Sequence, residues 1–370
     1  IIFLSSPIII LFVVQEIEIK KMNLRLSLLL IFFLVKSNQG SIFKTFSGVL
    51  SPNSHPSSVV FPLSGNILFG LSSNRESSKS LSIGIDTSSD LTWVQCNAPC
   101  KGCTVIHSSF KNKLFCAYSH LYFLLHLYML KGNIVPCSDP ICSSLHWPKK
   151  PECPNPKEQC DYEVTYADQG SSMGALVIDQ FSLKLQHGSF LQPRLAFGCG
   201  YDQSFPSAHP PPATAGVLGL GRGRISVLTQ LVSAGLTRNV IGHCLSSNGG
   251  GFLFFGDNLI PSTGVSWTPL MSQDNHYTTG PAELLFNGKS TGLKDLKLIF
   301  DSGSSYTYFN SKTYQKIVNL KTGNVCLGIL NGSEVGLQDS NVIGGVMMIY
   351  DNEKQQLGWV SADCNKIPKI

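Results

Sequence analysis

Two short segments of the chain each place an aspartate directly after an apolar run and follow it with small, mostly hydroxylated residues. The first segment is IDTSSDLTWV at residues 85–94, and the second is IFDSGSSYTYF at residues 299–309. Their aspartates, Asp86 and Asp301, are 215 residues apart and begin the matching tetrapeptides DTSS and DSGS. Either tetrapeptide alone can be an ordinary turn. Because the motif occurs twice, we interpret it as the mark of two related halves that each supply one carboxylate.

Two carboxylates that meet across a pseudo-twofold axis can catalyse hydrolysis. Like charges about 3 Å apart cannot both form easily, so such a pair holds one proton over a wide acidic range. The ionised member can deprotonate a water molecule while the protonated member donates to a peptide carbonyl, without a covalent intermediate. We expect the carboxylates to be held coplanar by hydroxyls and backbone N–H groups of the residues that follow them: Thr87, Ser89, Ser302, Gly303 and Ser304.

A second pair of matching segments follows the aspartates in the same order. GVLGLG at residues 216–221 and NVIGG at residues 341–345 both carry two apolar residues before a glycine. Within the first pair, Trp93 also matches Tyr308. The two repeats together strengthen the prediction of two related halves.

The composition is that of a globular, turn-rich protein. The chain has 370 residues, 43% hydrophobic and 14% charged, with 34 Gly, 20 Pro and a net charge of +5. These values exclude disordered, collagen-like and coiled-coil classes. No basic stripe is interleaved with aromatic residues, so nucleic acid is not an expected partner.

The chain is predicted to be mostly β. Short β-type runs separated by turn residues dominate, and residues 159–185 read as two strands of a long hairpin around a Gly/Ser-rich tip. Helical periodicity is confined to residues 226–235 and 311–320. The Gly-x-Ser-x-Gly pattern at residues 170–174 lies inside the hairpin, so it does not predict the strand–turn–helix of a serine hydrolase.

The N-terminal region has the pattern of a secretory signal. From Met22, a basic start, an apolar run of about ten residues and a small polar exit follow one another. The apolar run is too short to span a bilayer, which needs about 20 residues. We therefore assign residues 1–40 to translated upstream sequence plus a signal peptide, and the Ser/Pro-rich residues 41–62 to a linker or pro-segment. The expected location is the secretory pathway, ending in the apoplast or vacuole.

Twelve cysteines in an exported chain indicate disulfides. A zinc site is the rival interpretation of Cys96, Cys100 and Cys103. No Cys-x-x-Cys pair recurs with a matching partner, and an oxidising compartment disfavours free thiolates. We expect no metal.

Several segments together resemble the pepsin-like aspartic proteases, in particular the nucellin-like and nepenthesin-type plant branch. They include DTSSDLTWVQCNAPC, CDYEVTYADQGSSMG, FGCGYDQ, GVLGLGRGRISVLTQL and IYDNEKQQLGWV. The resemblance implies a bilobal β fold with pseudo-twofold related lobes, here residues 63–238 and 239–370. It implies that Asp86 and Asp301 form the catalytic dyad.

The same resemblance implies further roles. Tyr166 would be the tyrosine of a flap hairpin that closes over the substrate, with Trp93 beside it. Substrates would be polypeptides, no cofactor would be needed, and the protein would be a monomer without a membrane span. Asn331 begins a glycosylation sequon. The implied disulfides are Cys96–Cys100, Cys103–Cys199, Cys137–Cys160, Cys142–Cys153 and Cys244–Cys364.

Three departures from the family stand in the sequence. Asp86 precedes Gly219 by 133 residues, whereas Asp301 precedes Gly344 by only 43, so the C-terminal lobe is predicted to be truncated. Residues 114–130 form an apolar insert that reads as a translated intron or as a membrane- or partner-binding loop. The segment before Asp86, GNILFGLSSNRESSKSLSIGIDTS, is also shorter than the family's and lacks its Tyr-rich first strand and Ile-Gly-x-Pro turn.

The sequence leaves three functions open. The leading one is an aspartic endopeptidase that cuts peptide bonds at acid pH. One alternative is a catalytically inactive product of a pseudogene or faulty gene model. Another is a non-catalytic inhibitor or binding protein on the same fold.

Overall fold

The structure of the chain is a computed structural model. It describes residues 2–5, 58–62, 67–69, 79–81, 83–95, 102, 133–149, 151, 153–181, 183–184, 190–205, 216–245, 251–286, 289–304, 306–319, 329–331, 341–343 and 348–364.

The predicted mostly β class is confirmed by the described residues, which contain 22 strands. In chain order they are β1 (Ile2–Ser5), β2 (Ser58–Pro62), β3 (Ile67–Phe69), β4 (Lys79–Leu81), β5 (Gly84–Asp86), β6 (Trp93–Gln95), β7 (Asp161–Thr165), β8 (Ser171–Gln180), β9 (Leu183–Lys184), β10 (Phe190–Leu191), β11 (Arg194–Ser204), β12 (Gly216–Gly219), β13 (Val240–Leu245), β14 (Gly251–Gly256), β15 (Ser266–Pro269), β16 (Thr278–Phe286), β17 (Lys289–Phe300), β18 (Thr307–Phe309), β19 (Ile329–Asn331), β20 (Asn341–Ile343), β21 (Met348–Asp351) and β22 (Gln356–Trp359).

The described helices are short. They are α1 (Pro140–Leu145), α2 (Val227–Ser233) and α3 (Ser311–Asn319). Helices α2 and α3 lie where the periodicity predicted them. Helix α1 was not predicted, because six residues are too few to show a helical period; Asp139 caps it by accepting a hydrogen bond from the Ile141 N–H at 2.9 Å. No described helix is long and apolar enough to cross a membrane.

Most strands belong to three six-stranded sheets. The N-terminal sheet has the order β5-β12-β6-β11-β8-β7, and the C-terminal sheet has the order β1-β16-β17-β20-β18-β19. A third, central sheet has the order β15-β22-β21-β13-β14-β2. Two further pairs, β9 with β10 and β3 with β4, form small sheets of their own.

The N-terminal and C-terminal sheets repeat one arrangement. The strands β5-β12-β6-β11 pair in parallel, antiparallel and parallel fashion, and β17-β20-β18-β19 pair in the same sequence of directions. The Trp93–Val217 pair of the first sheet corresponds to the Tyr308–Val342 pair of the second. The two halves inferred from the repeated motifs are therefore related in topology.

The two halves differ in what lies between their matching strands. Between β6 and β11 the chain forms α1 and the long β7–β8 hairpin, whose register pairs Thr165 with Ser171. Between β18 and β19 the described residues form only α3. In the described part of the C-terminal half, the β7–β8 hairpin therefore has no counterpart, which agrees with the shorter spacing in the sequence.

Two strands come from segments that were predicted to lie outside the lobes. Ser58–Pro62, at the end of the expected linker or pro-segment, forms the edge strand β2 against β14. Ile2–Ser5, upstream of Met22, forms the edge strand β1 against β16. The assignment of residues 1–40 to upstream sequence and a signal peptide stays a prediction.

Candidate active site

Both aspartates stand at the ends of buried strands. Asp86 is the last residue of β5, and Asp301 directly follows β17. The residues before them, Ile85 and Phe300, are 1% and 2% exposed and belong to the same core cluster. Burial of these apolar residues fixes the strand ends. The two carboxyl groups are neighbours whose charges interact.

The turn after Asp301 lies directly against the Asp86 carboxylate. A Cβ atom placed on Gly303 would lie 2.8 Å from Asp86 Cγ and 3.0 Å from each carboxylate oxygen. Such contacts are closer than side chains tolerate, so only glycine fits this position without displacing the carboxylate. The role of Gly303 is therefore to let the second turn approach the first aspartate.

The hydroxyls of Thr87 and Ser302 join the two halves. The Thr87 N–H donates to Ser302 Oγ at 3.1 Å, and the Ser302 N–H donates to Thr87 Oγ1 at 3.0 Å. Each hydroxyl then donates to the carbonyl before the other aspartate: Thr87 Oγ1 to Phe300 and Ser302 Oγ to Ile85, both at 3.0 Å. Our expectation that these hydroxyls bond the carboxylates was wrong, because backbone groups of the opposite half occupy them.

Asp86 accepts more hydrogen bonds than Asp301. The N–H groups of Ser88 and Ser89 donate to Asp86 Oδ1 at 2.8 and 3.1 Å, and Ser89 Oγ donates to Asp86 Oδ2 at 2.5 Å. Asp301 Oδ1 accepts from the Gly303 N–H at 2.8 Å. Three donors thus hold the Asp86 carboxyl group in place, against one for Asp301.

Ser304 does not repeat the role of Ser89 on the second carboxylate. Its hydroxyl donates to the Tyr306 carbonyl at 2.9 Å, and its N–H lies 3.3 Å from the Asp301 backbone carbonyl. The expected hydrogen bond from a hydroxyl to the carboxylate is thus present between Ser89 and Asp86. The matching Ser304 hydroxyl bonds a backbone carbonyl instead of Asp301.

The surroundings of Asp301 favour its protonated form. Burial raises the pKa of Asp301 well above its usual range, and the neighbouring Asp86 charge raises it further. The Gly303 N–H opposes this rise without cancelling it. One ionised and one protonated carboxyl group is the state that a water-activating pair requires.

A third carboxyl group, that of Asp90, lies near Asp86, whose charge acts on it. Asp90 Oδ1 accepts the Gly223 N–H at 2.7 Å, and burial raises the pKa of Asp90. Cβ atoms on Gly221 or Gly223 would lie 2.3 and 2.0 Å from its oxygens, so a larger residue at either position would displace the Asp90 carboxyl group. Sequence reasoning did not single out Asp90, although it stands four residues after Asp86.

Tyr166 lies at the tip of the β7–β8 hairpin, where the Asp86 charge acts on its phenol. The Tyr166 N–H donates to the Gly170 carbonyl at 2.8 Å, which closes the turn. Trp93 Nε1 donates to the Tyr166 hydroxyl at 2.6 Å, and burial raises the pKa of this phenol. The structure therefore brings the two residues expected at a flap into direct contact.

Comparison with known proteins gives the family. The family model described as "Xylanase inhibitor N-terminal" matches residues 72–257. An aspartic proteinase of Oryza sativa subsp. japonica is 34% identical over 85% of this chain and 93% of its own length. The chain belongs to the plant aspartic proteinases of the pepsin-like family. Aspartic proteinase 39 of Arabidopsis thaliana is 29% identical and matches 65% of this chain and 50% of its own length.

Solved structures confirm the bilobal pepsin-like fold. Basic 7S globulin from soybean matches with a TM-score of 0.58 at 15% identity, over 89% of this chain and 99% of its own. Conglutin gamma from lupine seeds matches with a TM-score of 0.53 at 17% identity, over 88% of this chain and 95% of its own. At these identities the likeness concerns the fold alone.

In this aspartic proteinase family member, Arg222 connects the two halves near the active site. Its Nη1 atom donates to the carbonyls of Met271 and Asp274 at 2.9 and 3.0 Å. Its Nη2 atom donates to Gln355 Oε1 at 2.6 Å. Arg222 comes shortly after strand β12, whose Gly219 pairs with Asp86. Its hydrogen bonds therefore connect the strand beside Asp86 to the C-terminal half. Nothing local in the sequence indicates this role, since arginine is common in surface loops.

Two implied disulfide pairings were wrong. Cys137 bonds Cys153 and Cys142 bonds Cys160, each with Cα atoms 5.8 Å apart, rather than Cys137 with Cys160 and Cys142 with Cys153. Helix α1 directs Cys142 into the core cluster that contains Cys160, both 1% exposed, which determines the pairing. His146 lies within 4.8 Å of these two sulfurs, but sulfurs joined in a disulfide are not available as thiolate ligands.

The structure describes only some of the other cysteines for which a pairing was implied. Cys244 and Cys364 are bonded to each other, as the resemblance implied. Cys199 is disulfide-bonded, but its implied partner Cys103 lies outside the described residues. The implied Cys96–Cys100 pair and the insert at residues 114–130 also lie outside them. Asn331 ends strand β19, and its side chain is not described.

Proposed function

We propose that this chain is an aspartic endopeptidase that hydrolyses peptide bonds of polypeptide substrates at acid pH. The observation that carries the proposal is the reciprocal exchange between Thr87 and Ser302, which holds the strand ends before Asp86 and Asp301 together. Two carboxyl groups in contact at the ends of buried strands have the arrangement that water activation needs.

The proposed reaction uses one proton shared by the two aspartates. Asp86, supported by three hydrogen-bond donors, takes a proton from water, whose oxygen attacks the peptide carbonyl carbon. Asp301 gives its proton to the carbonyl oxygen, so a neutral tetrahedral intermediate forms. Asp86 then protonates the leaving nitrogen, the C–N bond breaks, and Asp301 recovers its proton as the carboxylic acid product forms.

The proposed role of Tyr166 is to close the active site. Its hydroxyl is held by Trp93 Nε1, so the phenol is fixed at the hairpin tip before substrate arrives. A flap that excludes water strengthens electrostatic interactions between the dyad and the substrate. No cofactor takes part in this mechanism.

The proposed setting is an acidic compartment of the secretory route, the apoplast or vacuole, where the protein acts as a monomer. Disulfides between Cys142 and Cys160 and between Cys244 and Cys364 support this, because they persist in oxidising compartments. The signal pattern from Met22 supports the same route.

A cleavage assay tests the proposal. The purified chain is mixed with a denatured protein substrate across acid and neutral pH, with and without pepstatin. We expect cleavage at acid pH that pepstatin blocks, and internal cuts in the peptide products. A folded chain that cuts nothing at any pH would support the inactive or purely binding alternatives instead.

A further inference from the structure

The two aspartate turns have equivalent backbones but different side chains at one position. The Ser88 N–H donates to Asp86 Oδ1 at 2.8 Å, and the Gly303 N–H donates to Asp301 Oδ1 at the same distance. Ser88 and Gly303 therefore occupy the same place in the two halves. The N-terminal turn carries a hydroxymethyl group there, and the C-terminal turn carries none.

The pseudo-twofold relation directs this extra group toward the opposite aspartate. A Cβ atom on Gly303 would touch the Asp86 carboxylate. By the same geometry, the side chain of Ser88 lies on the side of Asp301. Ser88 is accordingly among the groups that lower the pKa of Asp301.

The Ser88 hydroxyl has no settled partner elsewhere. Its Oγ atom is buried and makes no hydrogen bond of normal geometry with any residue that the structure describes. Leaving a buried hydroxyl without a partner is unfavourable, so a small rotation toward an acceptor is favourable. The Asp301 carboxyl lies on the side that the pseudo-twofold relation assigns to the Ser88 side chain, and Ser88 lowers its pKa, so Asp301 is the acceptor for such a rotation.

The other titratable groups that face Asp301 are Asp86 and two tyrosines. Tyr308 and Tyr350 both interact with the Asp301 charge, and burial raises the pKa of each phenol. Both phenols are therefore neutral through the acid and neutral range. Asp90 and Tyr166 act on Asp86 rather than on Asp301. Asp86 and Ser88 are thus the side chains left to control the second ionisation of the pair.

We propose that Ser88 is a positioning residue whose hydroxyl donates to Asp301 and so sets the upper pH limit at which the aspartate pair keeps its proton. The proposal rests on the proposed function only in its consequence for activity. A donor to a carboxylate stabilises the ionised form, so it lowers the pH at which the pair loses its last proton. Without the hydroxyl, the pair holds its single proton to higher pH.

The test compares the full chain with Ser88→Gly, which copies the other turn, and Ser88→Ala, which removes the hydroxyl but keeps the Cβ atom. The readout is the titration of the Asp301 carboxyl carbon by NMR after ¹³C labelling of aspartate, which needs a folded protein but no activity. Both variants are expected to shift the upper titration step upward by about one pH unit. If the chain is active, the alkaline limb of kcat/KM moves with it.

The outcomes separate the two proposals. Equal upward shifts in both variants support the role of the hydroxyl, and Ser88→Thr, which keeps a hydroxyl, is expected to restore the original titration. An unchanged titration in the folded variants, or a shift in only one of them, would overturn it. Absence of cleavage by the unmodified chain contradicts the proposed function and leaves the NMR test of Ser88 decisive.

Discussion

Thr87 and Ser302, 215 residues apart in the chain, donate backbone N–H groups to each other's hydroxyl oxygens at 3.1 and 3.0 Å. Each hydroxyl donates a hydrogen bond to the backbone carbonyl that precedes the opposite aspartate. The four hydrogen bonds form a closed pattern in which neither half can be positioned without the other. The aspartate pair is therefore a product of the contact between the halves.

Replacing either hydroxyl should weaken this contact. We expect Thr87→Ala and Ser302→Ala each to lower the free energy of unfolding by about 1–3 kcal/mol, because buried N–H and carbonyl groups lose their partners. Denaturant unfolding of both single variants and the double variant measures the coupling, and the double variant should lose less than the two losses together. Thr87→Ser keeps the hydroxyl and is the control. Fully additive losses would show that the two residues act independently.

The protonated state of Asp301 makes stability depend on pH. Burial and the Asp86 charge raise the pKa of Asp301 in the folded state, so the folded chain binds a proton that the unfolded chain releases near pH 4, about the usual aspartate value. This contribution is complete below the unfolded pKa and is lost as pH rises through the folded pKa. We therefore expect the unmodified chain to lose stability from about pH 4 upward, relative to Asp301→Asn, by up to about 1.4 kcal/mol per pH unit.

Urea unfolding of both proteins at several pH values measures that difference. Titrations of groups that do not interact with Asp301 affect both proteins alike and cancel in the comparison, so the difference reports Asp301 together with its interaction with Asp86. Parallel stability curves for the two proteins would mean that Asp301 titrates normally when folded, which would contradict the account.

The contact between Trp93 and Tyr166 should matter for substrate binding more than for folding. Tyr166→Phe removes the acceptor of the 2.6 Å hydrogen bond, so the hairpin tip loses its fixed position. We expect kcat/KM to fall by about 10-fold, mainly through KM, with little change in unfolding. Steady-state kinetics at acid pH measure this effect. Trp93→Phe removes the donor of the same hydrogen bond, so the double variant should be no worse than the poorer single variant. A kcat/KM of the double variant far below that of either single variant would show that the two residues act by separate effects.

The sequence predicted the positions of the aspartates and the elements with clear periodicity. Asp86 and Asp301 each follow an apolar strand and precede small residues, a pattern that is local and therefore readable. The β7–β8 hairpin and helices α2 and α3 were predicted for the same reason. The matching of Trp93 with Tyr308 is found again as equivalent strand pairs in the two sheets.

What could not be predicted from the sequence depends on partners far apart in the chain. A hydroxyl next to an aspartate can bond that carboxylate or a distant backbone group, and only the fold brings Phe300 and Ile85 to Thr87 and Ser302. Cysteine spacing allows several pairings, and the packing of α1 decides between them. The contact of Arg222 with the C-terminal half is equally non-local.

The most direct test of the central claim is acid proteolysis by Asp86→Asn and Asp301→Asn, measured beside the unmodified chain on one protein substrate. Asparagine keeps the shape of the side chain but can neither ionise nor act as an acid or base at these pH values. We expect cleavage by the unmodified chain and a loss of at least about 1,000-fold in each variant, with circular dichroism unchanged. Cleavage that survives in either folded variant would show that the two aspartates are not the catalytic pair.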